Sequence, residues 1–330
     1  MTQYALGIES TAHTFSASVV SSTGTILSNT KNVYRAPEGA GIHPLEASRS
    51  HAKAGAGVVR DALKTSGVPQ EKLSAVCYSM GPGLGPCLRV GAVVSRTIAS
   101  SIGKPLVPVN HAVGHIELGC LLTRSSDPVV LLVSGGHTMV ISYSARRWRI
   151  LGESLDLTLG QLLDQFGRNA GLSSPCGSAI EAAAAKSSRY LRLPYSVKGN
   201  DVSFSGLVTA AKTLYDAGAP FEDVSFSIQE TAFAMIAEVA ERALAFTGRS
   251  ELMVVGGVAA NRRLSQMMSL MAKRHSARVR AVPLEYSGDC GAQIAWTGLL
   301  AHRCGISVPV EEASVRQSWR LDDVDILWRP

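Results

Sequence analysis

YALGIEST (residues 4–11), TFSASVVSS (14–22) and TILSNTKNV (25–33) are three short runs of mostly apolar and β-branched residues, the last two divided by Thr23-Gly24. That pattern predicts three strands joined as a meander with a tight turn. The succession returns at VVLLVSGGHT (129–138), MVISYS (139–144) and WRILG (148–152). Two three-strand openings about 125 residues apart imply an internal duplication.

Helices and strands alternate downstream of each opening. In the first half AVCYSM (75–80) reads as a strand, GPGLGP (81–86) as a turn and CLRVGAVVSRTIASSI (87–102) as a helix stopped by Gly103. PLVPV (105–109) reads as a strand and Asn110 as the N-cap of a helix opening at His111. In the second half SIQETAFAMIAEVAERALAFT (227–247) reads as a helix ended by Gly248, followed by the strand LMVV (252–255) and the turn GGVAAN (256–261). A helix from about Asn261, the strand ARVRAV (277–282) and a helix opening near Asp289 complete it. This order matches the ribonuclease-H-like unit, and two in tandem resemble the actin, sugar-kinase and heat-shock-ATPase superfamily. The expected fold is α/β, with one such domain over residues 1–127 and another over 128–330. Ligands would settle in the interdomain cleft, beyond the carboxyl ends of the strands. The stretch from about 152 to 225 has no counterpart in the first half and reads as an insertion that shapes the substrate pocket.

Composition bounds the function. With 46% hydrophobic and 18% charged residues, the chain of 330 residues can bury a sizeable core. Six cysteines without a C-x-x-C pair fit neither a disulfide framework nor a structural zinc site, and point to a reducing setting. The amino terminus lacks a signal pattern, and no apolar run reaches the roughly 18 residues of a membrane span. A soluble, cytoplasmic protein is expected. The net charge of +6 permits a polyanionic partner such as RNA without demanding one.

His111 and His115 lie four apart at a helix start and so share one face. With eight histidines, chance supplies such a pair roughly 0.2 times per chain of this length, so the spacing alone is weak. The duplication adds weight, because Asp289 opens the equivalent helix of the second half and a pseudo-twofold axis would bring both helix starts to one cleft. Two imidazoles and one carboxylate suit non-haem Fe(II) or catalytic zinc; read blandly, Asp289 is an N-cap. HAVGH (111–115) lacks the glutamate of H-E-x-x-H, which disfavours a peptidase.

Two glycine loops suit a nucleotide. VSGGHT (133–138) offers backbone amides unobstructed by Cβ atoms, and GGVAAN places Asn261 at a helix start where an anion is favoured. GPGLGP lacks the G-K-[ST] ending of a P-loop and reads as a turn first and a substrate contact second.

GIEST (7–11), GIHPLEASRSH (41–51), GPGLGPCLRVG (81–91), NHAVGHIE (110–117), VSGGHT, LPYSVKGNDVSFSGL (193–207), GGVAANRRL (256–264) and SGDCGAQIA (287–295) together resemble the threonylcarbamoyladenosine tRNA-modification family. VRQSWRLDDVDILWR (315–329) resembles its archaeal and eukaryotic branch, the catalytic subunit of the KEOPS complex, whose members were formerly labelled O-sialoglycoprotein endopeptidases. The resemblance implies transfer of threonylcarbamoyl from threonylcarbamoyl-AMP to N6 of adenosine 37 in tRNAs that read ANN codons. It implies one divalent metal, Fe(II) before Zn(II), on His111, His115 and Asp289. Nucleotide contacts, with threonylcarbamoyl-AMP or ATP, would fall on Leu132, Val133, Ser134, Gly135, Gly136, Asp164, Gly177, Glu181 and Asn261. Partners would be tRNA, a small kinase-like ATPase, a small dimer-forming subunit and a further accessory subunit, and some relatives carry the kinase fused. Two motifs depart from the family's pattern: P-G-G-P-x-x-E appears as PCGSAIE (175–181), and D-N-x-A-M-I-A as DCGAQIA (289–295). Glu9 and His137 are the candidates for a general base. The rival readings are a small-molecule kinase or ATPase of the same superfamily, which would favour an aspartate where GIEST has Glu9, and a binding or scaffold subunit that holds nucleotide without turnover.

Overall fold

The computed structural model describes residues 2–37 and 39–330. The first half runs β1 (Tyr4–Glu9), β2 (Thr14–Ser21), β3 (Thr30–Val33), α1 (Pro44–Ser66), β4 (Ala75–Gly81), α2 (Gly85–Ile102), β5 (Leu106–Asn110) and α3 (His111–Thr123). The second opens with β6 (Val129–Val133), β7 (Thr138–Ser144) and β8 (Arg147–Glu153). Then come α4 (Leu159–Asn169), α5 (Gly177–Ala184), the short pair β9 (Val197–Lys198) and β10 (Asp201–Val202), and α6 (Ser205–Asp216). It closes with α7 (Phe221–Thr247), β11 (Glu251–Val255), α8 (Arg262–Arg274), β12 (Arg278–Ala281), α9 (Leu284–Ser287) and α10 (Gly291–Arg303).

The duplication is visible in the sheets. One has the order β3-β2-β1-β4-β5 and the other β8-β7-β6-β11-β12, each an antiparallel meander followed by two parallel strands. β1, β2, β4 and β6 are buried almost throughout, as strands covered on both faces must be. The last helix of each half packs beyond its own half. α3 places Ala112, Val113, Ile116 and Cys120 among Val130, Leu132, Met253 and Val255 of the second sheet. α10 sets Ile294, Leu299 and Ala301 against Ala5, Cys77, Val107 and Val109 of the first. A linear cut at residue 127 therefore divides the sheets but not the helices that cover them.

Several sequence expectations shift by a few residues. The run 25–33 is strand only from Thr30, because the Ser28 hydroxyl, not a backbone carbonyl, receives the Val19 amide. GPGLGP is not wholly a turn, since α2 begins inside it at Gly85. Its glycines admit close neighbours: a Cβ on Gly81 would lie 1.8 Å from the Arg316 carbonyl oxygen, and one on Gly83 2.6 Å from that of Thr11. α7 starts six residues before the expected Ser227, where Phe221 stacks on Phe166 of α4. The region 152–225 packs into the second half, where Leu162, Phe166, Phe204 and Leu207 share one core with Ile228, Phe233 and Ile236 of α7.

After α10 the chain returns as a strap across both halves. Val308 pairs with Leu106, Arg316 donates its amide to Met80, and Ile326 donates its amide to Arg146. It ends with Arg329 over the Trp148 ring and paired two-pronged to the buried Glu117. No helix among the described residues is long and apolar enough to cross a membrane.

Candidate metal centre and nucleotide cleft

α3 begins where the sequence says it should: the Asn110 side chain accepts the amides of Ala112 and Val113, capping two orphan donors. Its first ten residues, His111 to Cys120, are all buried, because the helix is sandwiched between the halves. Both histidines are thus held out of water, at 4% and 3% exposure, with their rings edge to face. Asp289 enters from the opposite half, just before α10. Its Oδ1 lies 3.6 Å from His111 Nε2 and 3.4 Å from His115 Nε2. The N-cap of α10 is Cys290, so the bland reading of Asp289 as a cap is not what the structure shows.

The three donors fit a metal ion. Their ligand atoms all lie within 4.8 Å of one another, and the two shorter separations are close to those of ligands about 2.0–2.2 Å from a shared ion. His115 Nε2 is buried without a hydrogen-bond partner, its approach to Asp289 lacking hydrogen-bonding geometry. A buried imidazole nitrogen with no partner is costly unless something occupies it. His111 Nδ1 sits 2.9 Å from Oε2 of the wholly buried Glu9. A carboxylate only accepts, so Nδ1 carries a proton, and loss of the Nε2 proton would leave that nitrogen's lone pair free for an ion shared with Asp289, as in metal-bound histidines backed by a carboxylate.

Charge follows the same arrangement. Burial pulls His111 down, but the Glu9 charge and hydrogen bond, aided by Asp289, outweigh it and lift the imidazole to about 9. Burial keeps His115 below its ordinary value against the opposing pull of Asp289. For Asp289, burial is overcome by His115 and His111, which hold its carboxyl well below the usual range. His137 stacks on His111 at 5.9 Å and is driven down to about 3, chiefly by burial and then by the charges of His111 and His115.

Of the nucleotide candidates, Ser134, Gly135 and Gly136 form the loop beyond β6, and Gly256 begins the loop beyond the adjacent parallel β11. Gly256 adopts φ 96°, and a Cβ there would strike the Val133 carbonyl oxygen at 2.3 Å. Leu132 and Val133 are interior strand residues with wholly buried side chains, whereas Gly135 and Gly136 beyond them are exposed. The Ser134 hydroxyl accepts the amides of Gly136 and His137, which fixes the loop and leaves those two amides already bonded. Asp164 accepts the Cys176 amide, orienting the segment that leads to Gly177 at the start of α5. Glu181 accepts the Arg262 amide. Asn261 caps α8 through Arg263 and Leu264 and donates to Gln229, so its buried side chain has its oxygen and one amide hydrogen already engaged. Ser134 to Gly136 lie beyond β6, where the start of α4 packs on them through Gly160, and Glu181 and Asn261 meet at the start of α8 beyond β11, on the half that carries Asp289.

Two residues that the sequence analysis quoted only as parts of motifs also border the metal cluster. Thr11 donates its amide to Glu9 Oε1 and brings its hydroxyl to 3.3 Å from His111 Nδ1. Gln293 reaches the same nitrogen from α10. Its signal was present: a lone amide in an apolar stretch, four residues after Asp289.

The fold and site define a class: two ribonuclease-H-like domains of the actin-like ATPase kind, closing on a buried His-His-Asp cluster. HypF from T. kodakarensis shares this fold, with a TM-score of 0.65 at 13% identity over 92% of this chain and 48% of that one. A family profile described as tRNA N6-adenosine threonylcarbamoyltransferase matches residues 25–296, and the chain belongs to that family. A relative of that name from Caldivirga maquilingensis is 49% identical over 98% of this chain and 97% of its own. Another, from Methanothermobacter thermautotrophicus, is named a probable bifunctional tRNA threonylcarbamoyladenosine biosynthesis protein; it is 47% identical over 98% of this chain and 60% of its own.

Proposed function

We propose that this chain transfers threonylcarbamoyl from threonylcarbamoyl-AMP to N6 of adenosine 37 in ANN-reading tRNAs, as the metal-dependent catalytic subunit of a KEOPS-type assembly in the cytoplasm. The observation that carries the reading is the convergence of His111 and His115 from one half with Asp289 from the other. Two imidazoles and a carboxylate on one face suit Fe(II) or Zn(II), and the family resemblance puts Fe(II) first. When bound, such an ion would supply a Lewis acid and template for the carbamoyl group.

The chain's own residues supply positioning and electrostatics. The loop Ser134 to Gly136 and the segment from Asp164 to Gly177, with Glu181 and Asn261, form the adenylate side of the cleft. The α8 amino terminus, capped by Asn261, adds a favourable dipole for the leaving phosphate. Glu9 is buried and bonded to Thr11 and His111, which argues against its taking a proton from substrate. The same engagement leaves Glu9 unavailable for the nucleotide-bound Mg²⁺ of a kinase. His137 stays neutral and has an unpartnered buried Nδ1, which suits it to hydrogen-bond the reacting groups, while its low basicity makes it a poor general base.

The test is mass spectrometry of unmodified tRNA incubated with threonylcarbamoyl-AMP and this protein, with and without a companion kinase-like ATPase and a small dimer-forming subunit. Modified adenosine that appears slowly with the chain alone and faster with the subunits is expected. No modification under any combination, with nucleotide still bound, would instead support a binding subunit.

A further inference from the structure

Gln293 is wholly buried in the first turn of α10, and each of its polar neighbours borders the His-His-Asp cluster. Its Nε2 lies 3.1 Å from His111 Nδ1 and 3.4 Å from Glu9 Oε2, and its Oε1 lies 3.8 Å from Sγ of the buried Cys290. Gly114 makes room for it on α3, where a Cβ would meet Gln293 Cγ at 3.3 Å. Burying an amide is unfavourable unless it is hydrogen-bonded, so these contacts define its role.

Donor counting fixes their direction. Glu9 accepts the Thr11 amide at Oε1, 2.6 Å away, and the His111 Nδ1 proton at Oε2. If Gln293 donated to Nδ1 instead, the ring proton would move to Nε2, and Glu9 would face a lone pair at 2.9 Å. Two acceptors would then oppose each other in a buried site. The consistent arrangement has Gln293 donating to Glu9 Oε2 while the Cys290 thiol donates to Gln293 Oε1.

Resting on the reading of His111, His115 and Asp289 as metal ligands, we propose that Gln293 is a positioning residue that braces the Glu9 carboxylate against His111, so that the ring presents its Nε2 lone pair to the ion. Thr11 braces one carboxylate oxygen from the strand side and Gln293 the other from α10. The ligand contributed by one half is thereby oriented by a side chain of the other.

Co²⁺ titrated into the metal-stripped full chain against a competing chelator, followed by visible absorption, reads affinity and ligand geometry together. Gln293→Met keeps the side-chain volume, removes the amide and installs the residue of the D-N-x-A-M-I-A pattern, so it tests whether this chain's Glu9–His111 pair depends on the amide that replaces that Met. It is expected to weaken Co²⁺ about tenfold and to change the absorption bands, with an unfolding midpoint near that of the parent. Because Gln293 acts through Glu9, the same substitution adds no further loss in a Glu9→Gln background. Additive losses, or a Gln293→Met protein with parental affinity and spectrum, overturn the proposal. Should the Met variant not fold, Gln293→Asn withdraws the amide by one methylene: weakened affinity supports the proposal and parental affinity overturns it. His115→Ala in the same titration tests the metal reading itself. If it binds Co²⁺ like the parent, both readings fall; if it loses Co²⁺ while Gln293→Met does not, only the positioning role falls.

Discussion

Gly7→Ala tests whether the packing of α10 on β1 sets the geometry of the metal cluster. A Cβ on Gly7 would lie 2.2 Å from the Ala295 nitrogen and 2.4 Å from the Gly291 carbonyl oxygen. Both are backbone atoms of α10 and cannot rotate away. Ordinary contact begins at 3.4 Å, so relief requires the strand and helix to separate by about an ångström. β1 carries Glu9, and α10 carries Gln293 and follows Asp289, so that displacement passes straight to the cluster. Metal sites tolerate roughly 0.2 Å in ligand distance, and an ångström of misplacement costs about 100-fold in rate. The expected results are destabilisation of about 3 kcal/mol in urea, the upper part of the overpacking range, with metal affinity at least tenfold weaker and tRNA modification about 100-fold slower. Gly57→Ala is the control, since nothing lies within 4 Å of its Cβ and it sits inside α1; it should gain up to about 1 kcal/mol. Parental metal content and transfer rate in Gly7→Ala would refute the reasoning, whatever its stability.

The other predictions concern single side chains. Asp289→Ala or His115→Ala should lower bound metal and transfer together by roughly tenfold or more, and full metal occupancy in either, measured by elemental analysis, would remove that residue from the site. His137→Ala should slow transfer while leaving metal content unchanged; equal rates in parent and variant would show that the ring takes no part. Arg329→Ala strips the two-pronged partner from Glu117, which is 3% exposed and keeps only Trp148 Nε1, so unfolding should become easier by about 3 kcal/mol, and a loss below about 1 kcal/mol would mean the strap end carries little stability. In metal-free protein the folded His111 titrates at about 9, above its unfolded value near 6.5, so its contribution is complete below about 6.5 and is lost as pH rises through about 9. The urea midpoint should fall over that interval and the fall should be smaller in Glu9→Gln; a flat profile in the parent contradicts it.

Much of the fold was legible because its signals are local. Gly103 and Gly248 end α2 and α7 in the left-handed conformation, and Asn110 and Asn261 cap α3 and α8 by accepting two amides each. The duplicated meander could be read from β-branched runs, and the two sheets repeat one strand order. The shorter β3 was hidden because the Ser28 side chain replaces a backbone partner, and no propensity reports that. The early start of α7 depends on Phe221 meeting Phe166, a tertiary contact. In the site, His111, His115 and Asp289 could be paired by symmetry. Asn261 could be placed at a helix start, but not with its side chain already committed to Arg263, Leu264 and Gln229.

Why the cluster forms where it does follows from the two helices that pack beyond their own halves. A histidine pair on a helix lying over its own sheet would face one domain only, and its partner carboxylate would sit across an open cleft. Here α3 is enclosed between the sheets, and α10 comes against it where Gly114 admits Gln293. The strap then crosses from the β4 and β5 ends of the first sheet to β8 and α3, ending in the buried Arg329–Glu117 pair. Two independent connections therefore hold the halves together at this end of the molecule. The ligand atoms are fixed by packed backbone on both sides, whereas the Gly135–Gly136 loop opposite them is exposed. The rigid part of the site thus coincides with the metal cluster, and the exposed loop faces the cleft assigned to the nucleotide.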